Sequence, residues 1–205
     1  MTAIKEPEPI QQTAFAPGSH IADPAALGLG GFALTTFVLS VANANIVPIA
    51  VTPVVFGLAL AYGGIAQFAA GIWEFAKGNT FGATAFCSYG GFWISYWYLT
   101  GHTDLSGAGS DVNQGVGLYL IAWAIFTGYM TVAATRTNTA VLAVFVLLTI
   151  TYILLAIGEF ATADGITHIG GYLGIATALA AWYASWATVT NFTFKRTVLP
   201  VGPRA

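Results

Sequence analysis

Five stretches of this chain carry no Asp, Glu, Lys or Arg: residues 24–73, 78–103, 112–135, 137–158 and 165–194. Nothing else in the sequence constrains its fold as strongly. Crossing about 30 Å of hydrocarbon takes roughly 20 apolar residues as a helix. The first stretch is long enough for two crossings and each of the others for one, so the expected architecture is all-α with six transmembrane helices. All six cations, Lys5, Lys77, Arg136, Lys195, Arg196 and Arg204, lie outside the apolar runs. With six crossings they fall on one face, together with both chain ends. Positive residues are retained in the cytoplasm during insertion, which makes that face the inside. Hydropathy and charge thus predict the same topology independently.

Composition closes off other classes. The chain is 57% hydrophobic and 7% charged, against about 25% charged residues in soluble domains. No basic cluster points to a nucleic-acid partner. A single cysteine, Cys87, rules out an internal disulfide. The histidines are not spaced as a metal site, no lysine lies inside a helix to carry a Schiff base, and no phosphate-binding loop is present. No cofactor is expected, and no nucleophile–base pair or metal cluster suggests an enzyme. Residues 1–22 read as a flexible cytoplasmic tail, 23–196 as the six-helix transmembrane domain and 197–205 as a cytoplasmic C-terminal tail.

The predicted helices cover about 25–45, 48–76, 80–99, 112–133, 140–160 and 165–190. Asp23-Pro24 reads as an N-cap followed by proline at the first helical position. Gly63-Gly64 marks a bend point in the second helix. Internal echoes, such as Glu74-Phe75 against Glu159-Phe160 and Tyr89-Gly90-Gly91 against Gly170-Gly171-Tyr172, suggest a 3+3 repeat. Halves of three helices are necessarily inverted in the membrane, a common transporter plan.

Polar candidates are few. Glu74 lies three residues before Lys77, a spacing that suits a salt bridge. Glu159, near the outer end of the fifth helix, is either a proton-exchanging carboxyl or a water-facing one. Thr35, Thr36, Asn43, Asn45, Gln67, Thr84, Ser88 and Tyr89 are donors able to receive one carboxylate, and Gln67 is equally able to serve as helix–helix glue. Thr149 and Thr151 are expected to bond their own i−4 carbonyls. Trp93, Tyr96, Trp97 and Tyr98 read as an interfacial belt. Phe32 and Tyr89 lie deeper and beside glycines, where a ring either narrows a passage or packs a core.

Several of these segments carry a resemblance. Asp23-Pro-Ala-Ala-Leu-Gly-Leu29 resembles the Asn-Pro-Ala-Pro-Leu-Gly-Leu signature of the acetate uptake transporter family, the succinate–acetate permeases. Tyr62-Gly-Gly-Ile-Ala-Gln67, Lys77-Gly-Asn-Thr-Phe-Gly82, Ser88-Tyr-Gly90, Leu154-Leu-Ala-Ile-Gly158 and Arg196-Thr-Val-Leu-Pro-Val-Gly202 are similar to further blocks of that family. The resemblance implies a plasma-membrane (cell inner membrane) homohexamer with one pathway per protomer. It implies uptake of acetate, and in some members succinate, with a proton or by a channel-like route. It also implies a hydrophobic constriction of Phe32, Tyr89 and Leu148. Asp23 and Ala26 depart from the signature, and Asp23 joins Glu159 and Glu74 as a candidate for proton coupling. The alternative is a passive channel for small neutral solutes such as urea, short amides or undissociated acetic acid.

Overall fold

The structure is a computed structural model, and it describes Gly18 and residues 20–204. Most of the proposed N-terminal tail therefore lies outside the described residues. Six long helices follow one another: α1 Ala25–Asn43, α2 Val54–Lys77, α3 Thr80–His102, α4 Val112–Ala134, α5 Thr139–Ala161 and α6 Asp164–Phe194. Short 3-10 turns, Ile49–Val51 and Ser106–Asp111, precede α2 and α4. The helices α1, α2, α4 (with its preceding turn) and α5 are long and apolar enough to cross a membrane. By length α3 and α6 also suffice, at about 34 and 46 Å for ~1.5 Å per residue. Their Gly, Ser, Thr, Tyr and Trp content dilutes their hydropathy.

Helix boundaries move slightly from those expected. Pro24, not Asp23, occupies the N-cap of α1, while the Asp23 carboxylate accepts from the Ala25 N–H at 3.0 Å. Pro48 leads into the 3-10 turn and Pro53 caps α2, so that helix starts later than its apolar run. Around Gly63-Gly64, α2 does loosen: Ala61–Ala66 is a π-helical segment.

The six helices form a ring in chain order. The first helix, α1, packs on both α2 and α6; α6 packs on α5, α5 on α4, and α2 on α3. The ring is closed between α3 and α4, which contact each other sparsely through their backbones. Large side chains fill that gap: Tyr89 meets Phe126 and Trp123, and Phe92 meets Tyr119 and Trp123, with ring centroids 5.2–6.2 Å apart. Elsewhere small residues let backbones touch, as expected where lipid removes the hydrophobic drive between helices. A Cβ on Gly71 would sit 2.5 Å from the Cys87 amide nitrogen, and one on Gly90 would sit 2.7 Å from the Phe68 amide nitrogen. Neither neighbour can yield, because both are backbone. Gly71→Ala and Gly90→Ala are each expected to destabilise the fold by about 1–3 kcal/mol through overpacking. A lowered melting midpoint of the detergent-solubilised protein is the readout; an unchanged midpoint would contradict this packing.

Residues 197–205 do not form a loose tail over their described part. Asn191 accepts from the Val198 and Leu199 amides and donates to the Leu199 carbonyl. Tyr183 donates to the Pro200 carbonyl at 2.7 Å. The first amides of α5, Thr139 and Ala140, donate to the Gly202 and Val201 carbonyls. The strap thus satisfies helix-end donors that would otherwise be orphaned.

Candidate transport pathway

Three cavities lie in file along the ring's interior. A basal cavity of about 280 Å³ sits where Asp23, Glu74, Lys77, Asn79, Asn138 and Val201 meet. A distal cavity of about 480 Å³ lies at the other end, among Thr36, Asn43, Phe92, Trp93, Tyr96, Tyr152 and Glu159. Between them is a space of about 20 Å³ lined by Leu29, Phe32, Gln67, Phe86, Tyr89, Val144, Phe145 and Leu148. It shares Leu29, Phe86 and Phe145 with the basal cavity, and Phe32 and Leu148 with the distal one. The middle space holds about one water, for which roughly 10–15 Å³ suffices. Its lining carries no charged side chain.

The structure brings Phe32, Tyr89 and Leu148 together on this narrow space, from α1, α3 and α5. The Phe32 and Tyr89 ring centroids are 5.6 Å apart. The Tyr89 hydroxyl lies 3.0 Å from Thr127 Oγ1, and that threonine donates to the Trp123 carbonyl at 2.8 Å. The Tyr89 proton therefore points to Thr127, and the ring is held in place. Thr127, Trp123 and Phe126 escaped the sequence reading. Their spacing on one face of α4 was the available signal.

The polar candidates separate. Gln67 lines the middle space, 1% exposed, and its Oε1 has no hydrogen-bond partner. Thr36 lines the distal cavity. Thr35 does not reach the pathway: it donates to the Gly31 carbonyl at 2.8 Å and packs against Gly63. Thr84 and Ser88 line none of these cavities. At 3.6 residues per turn they project roughly 100–140° away from Tyr89 on α3. Of the candidate donors, Thr36, Asn43, Gln67 and Tyr89 line the cavities, whereas Thr35, Asn45, Thr84 and Ser88 do not. Thr149 and Thr151 do bond their i−4 carbonyls, each at 2.8 Å.

The acids also rearrange. Lys77 does not salt-bridge Glu74 but Asp23, at 2.9 Å. That pair is half-exposed and is worth at most about 1 kcal/mol. Gly78, at φ 82°, turns the chain so that Asn79 reaches back. The Asn79 amide donates to Glu74 Oε2 at 2.9 Å, and its oxygen accepts from the Gly82 N–H to cap α3. Glu74 is fully buried, and its Oε1 has no partner. All three candidate acids line cavities, Asp23 and Glu74 the basal one and Glu159 the distal one. Trp93 is a second correction. It is 2% exposed inside the ring rather than in an interfacial belt, whereas Tyr98 remains exposed.

Apolar helices ringed around two cavities that meet at an uncharged constriction define a multi-pass membrane protein of the transporter and channel class. Residues 7–203 match the GPR1/FUN34/yaaH family, and the chain belongs to it. It is 38% identical to the succinate-acetate/proton symporter SatP of Escherichia coli K12, over 90% of this chain and 97% of that one. The solved structure of the bacterial acetate channel SatP superposes with a TM-score of 0.81, covering 89% of this chain and 99% of that one at 38% identity. A yeast relative, accumulation of dyads protein 2 of Saccharomyces cerevisiae, is 48% identical over 86% of this chain. The chain spans 64% of that relative's length. The family and its solved neighbour are transporters and channels, not enzymes.

Proposed function

We propose that this protein carries acetate, and with it succinate and other small carboxylates, across the plasma membrane together with a proton. Phe32, Tyr89 and Leu148 are the gate, with Thr36 and Gln67 as polar neighbours and Asp23, Glu74 and Glu159 as the groups that exchange protons. The observation that carries this reading is the uncharged space of about 20 Å³ joining the two cavities. A bare carboxylate loses several kcal/mol of hydration in such a place, so substrate passes far more easily as the neutral acid. The relatives named for acetate and succinate support the substrate class.

In this reading all six helices span the bilayer, as a 3+3 inverted repeat, and the basal end faces the cytoplasm. Lys77, Arg136, Lys195, Arg196 and Arg204 belong to that end by helix order, as the positive-inside rule requires. A homohexamer buries part of the outward apolar faces, such as Leu118, Ile125, Tyr129 and Val132 along α4, each more than half exposed in the single chain; lipid covers the rest.

Labelled acetate uptake into proteoliposomes tests the coupling. An imposed inward proton gradient is expected to drive accumulation several-fold above equilibrium. Uptake that only equilibrates, whatever the gradient, would overturn the coupling; because undissociated acetic acid itself follows a pH gradient, the passive channel for neutral solutes is recognised instead by urea and short amides crossing as fast as acetate. The uncharged constriction suits that second reading too.

A further inference from the structure

Among the described residues, the basal cavity is lined by one cation and two acids: Lys77 and Glu74 on the last turn of α2, and Asp23 at the entry to α1. The linings from α1, α3, α5, α6 and the strap carry no other charged side chain. Lys77 thus stands between two carboxyls and is paired to Asp23, at 2.9 Å. The segment that brings Asp23 there rests on the lysine itself. A Cβ on Gly18 would lie 2.6 Å from the Lys77 Cα, and Gly18 has a φ of 78°.

The choice of partner carries information. The Asp23 side chain is 42% exposed, so water solvates it well and its ion pair contributes little. Glu74 is 0% exposed, and an ionised carboxylate left there without a cation costs far more. Residues three apart on a helix are neighbours, so the Lys77 side chain reaches either acid. Were Glu74 ionised, the larger gain would draw Lys77 to it. Instead Lys77 sits on Asp23, and Glu74 Oε1 is buried without a partner. Glu74 is therefore neutral in this arrangement. The Asn79 amide donates to Oε2, which leaves Oε1 to hold the proton.

We propose that Lys77 is a proton-linked switch, bound to Asp23 while Glu74 is protonated and turning across the basal cavity to Glu74 when that proton leaves. The protons balance. A neutral acid arriving from the constriction gives its proton to the Glu74 carboxylate and becomes a carboxylate itself. Lys77, no longer held by Glu74, returns to Asp23 and clears the way out. Glu74 then releases its proton to basal water, and Lys77 swings back to neutralise it. The basal side is open only while Glu74 holds a proton. This deepens the proton-coupled reading above and rests on it for its role in transport.

The test uses the full chain in liposomes without acetate. A spin label at Ala22→Cys, an exposed position beside Asp23, reports whether that segment is tied down; Cys87→Ser removes the native thiol. In the wild-type background the immobile fraction is expected to fall severalfold as pH rises from mildly acidic to mildly alkaline. With Glu74→Gln it should stay high throughout, since no anion forms to draw Lys77 away. With Lys77→Gln or Asp23→Asn it should stay low throughout. Asp23 is exposed, so Asp23→Asn remains informative if the α2 variants do not fold. At the alkaline end a thiol at Thr188→Cys, which lines the cavity, should react severalfold faster with an impermeant maleimide in Glu74→Gln than without it. A merely structural Glu74 would not make the label or the thiol depend on pH through Lys77. A wild-type label whose mobility ignores pH, a pH response that persists in Glu74→Gln, or equal maleimide rates would each overturn the switch. Absence of acetate uptake by the wild type would overturn the transport reading instead, because none of these readouts depends on it.

Discussion

Phe32→Ala is expected to raise the permeation of solutes larger than acetate, such as lactate or glycerol, by about tenfold or more. Removing a buried aromatic ring opens a void on the order of 100 Å³. The space it borders is only about 20 Å³, and the cavities on either side already measure about 280 and 480 Å³. A change of that size joins them. Leu148→Ala should act in the same direction with a smaller effect, since its side chain is shorter. Tyr89 is tied to Thr127 and packed against Phe126 and Trp123, so the remaining wall does not collapse into the gap. Stopped-flow swelling of proteoliposomes with a graded series of solutes measures the change. An unaltered size cut-off in both variants would remove these residues from the gate.

Glu74→Gln is expected to abolish gradient-driven accumulation of acetate, lowering it at least tenfold, while leaving equilibrative flux near the wild-type level. Glutamine keeps the shape of the side chain and can still accept the Asn79 hydrogen bond at its amide oxygen. It cannot take up or release a proton. Glu74 is fully buried on the basal cavity with one oxygen unpartnered. An ionised carboxylate stripped of water in this way is costly unless it is paired. A group so placed is suited to change protonation as substrate passes. Uptake that still accumulates against the acetate gradient in Glu74→Gln would confine this residue to holding the α2–α3 turn through Asn79. Glu159→Gln on the distal side would then be the next variant to measure.

Much of the chain's organisation was legible because each residue reports its own compatibility with lipid. The six long helices appear close to the expected places, and the π-helical segment in α2 falls on Gly63-Gly64. The site was less legible. Phe32 and Tyr89 stood out by depth and by their neighbouring glycines, with core packing an equal reading, and Leu148 was singled out through family likeness alone. Thr84 and Ser88 looked as good as Thr36, because composition does not reveal which way a uniformly apolar helix is rotated. Trp93 passed for an interfacial anchor for the same reason: its depth was readable, but its direction was not. Glu74 was assigned to the nearest cation in sequence, yet the turn at Gly78 delivers Asn79 to it and leaves Lys77 for Asp23.

What the amino acids determined alone is where the chain enters and leaves an apolar solvent, since transfer into lipid acts on each side chain separately. Only the tertiary structure decided which side chains face one another across the ring. That outcome depends on contacts between distant helices, set by glycines such as Gly71 and Gly90 that let backbones approach. From this packing come the narrow meeting point of the two cavities and the strap over residues 198–204.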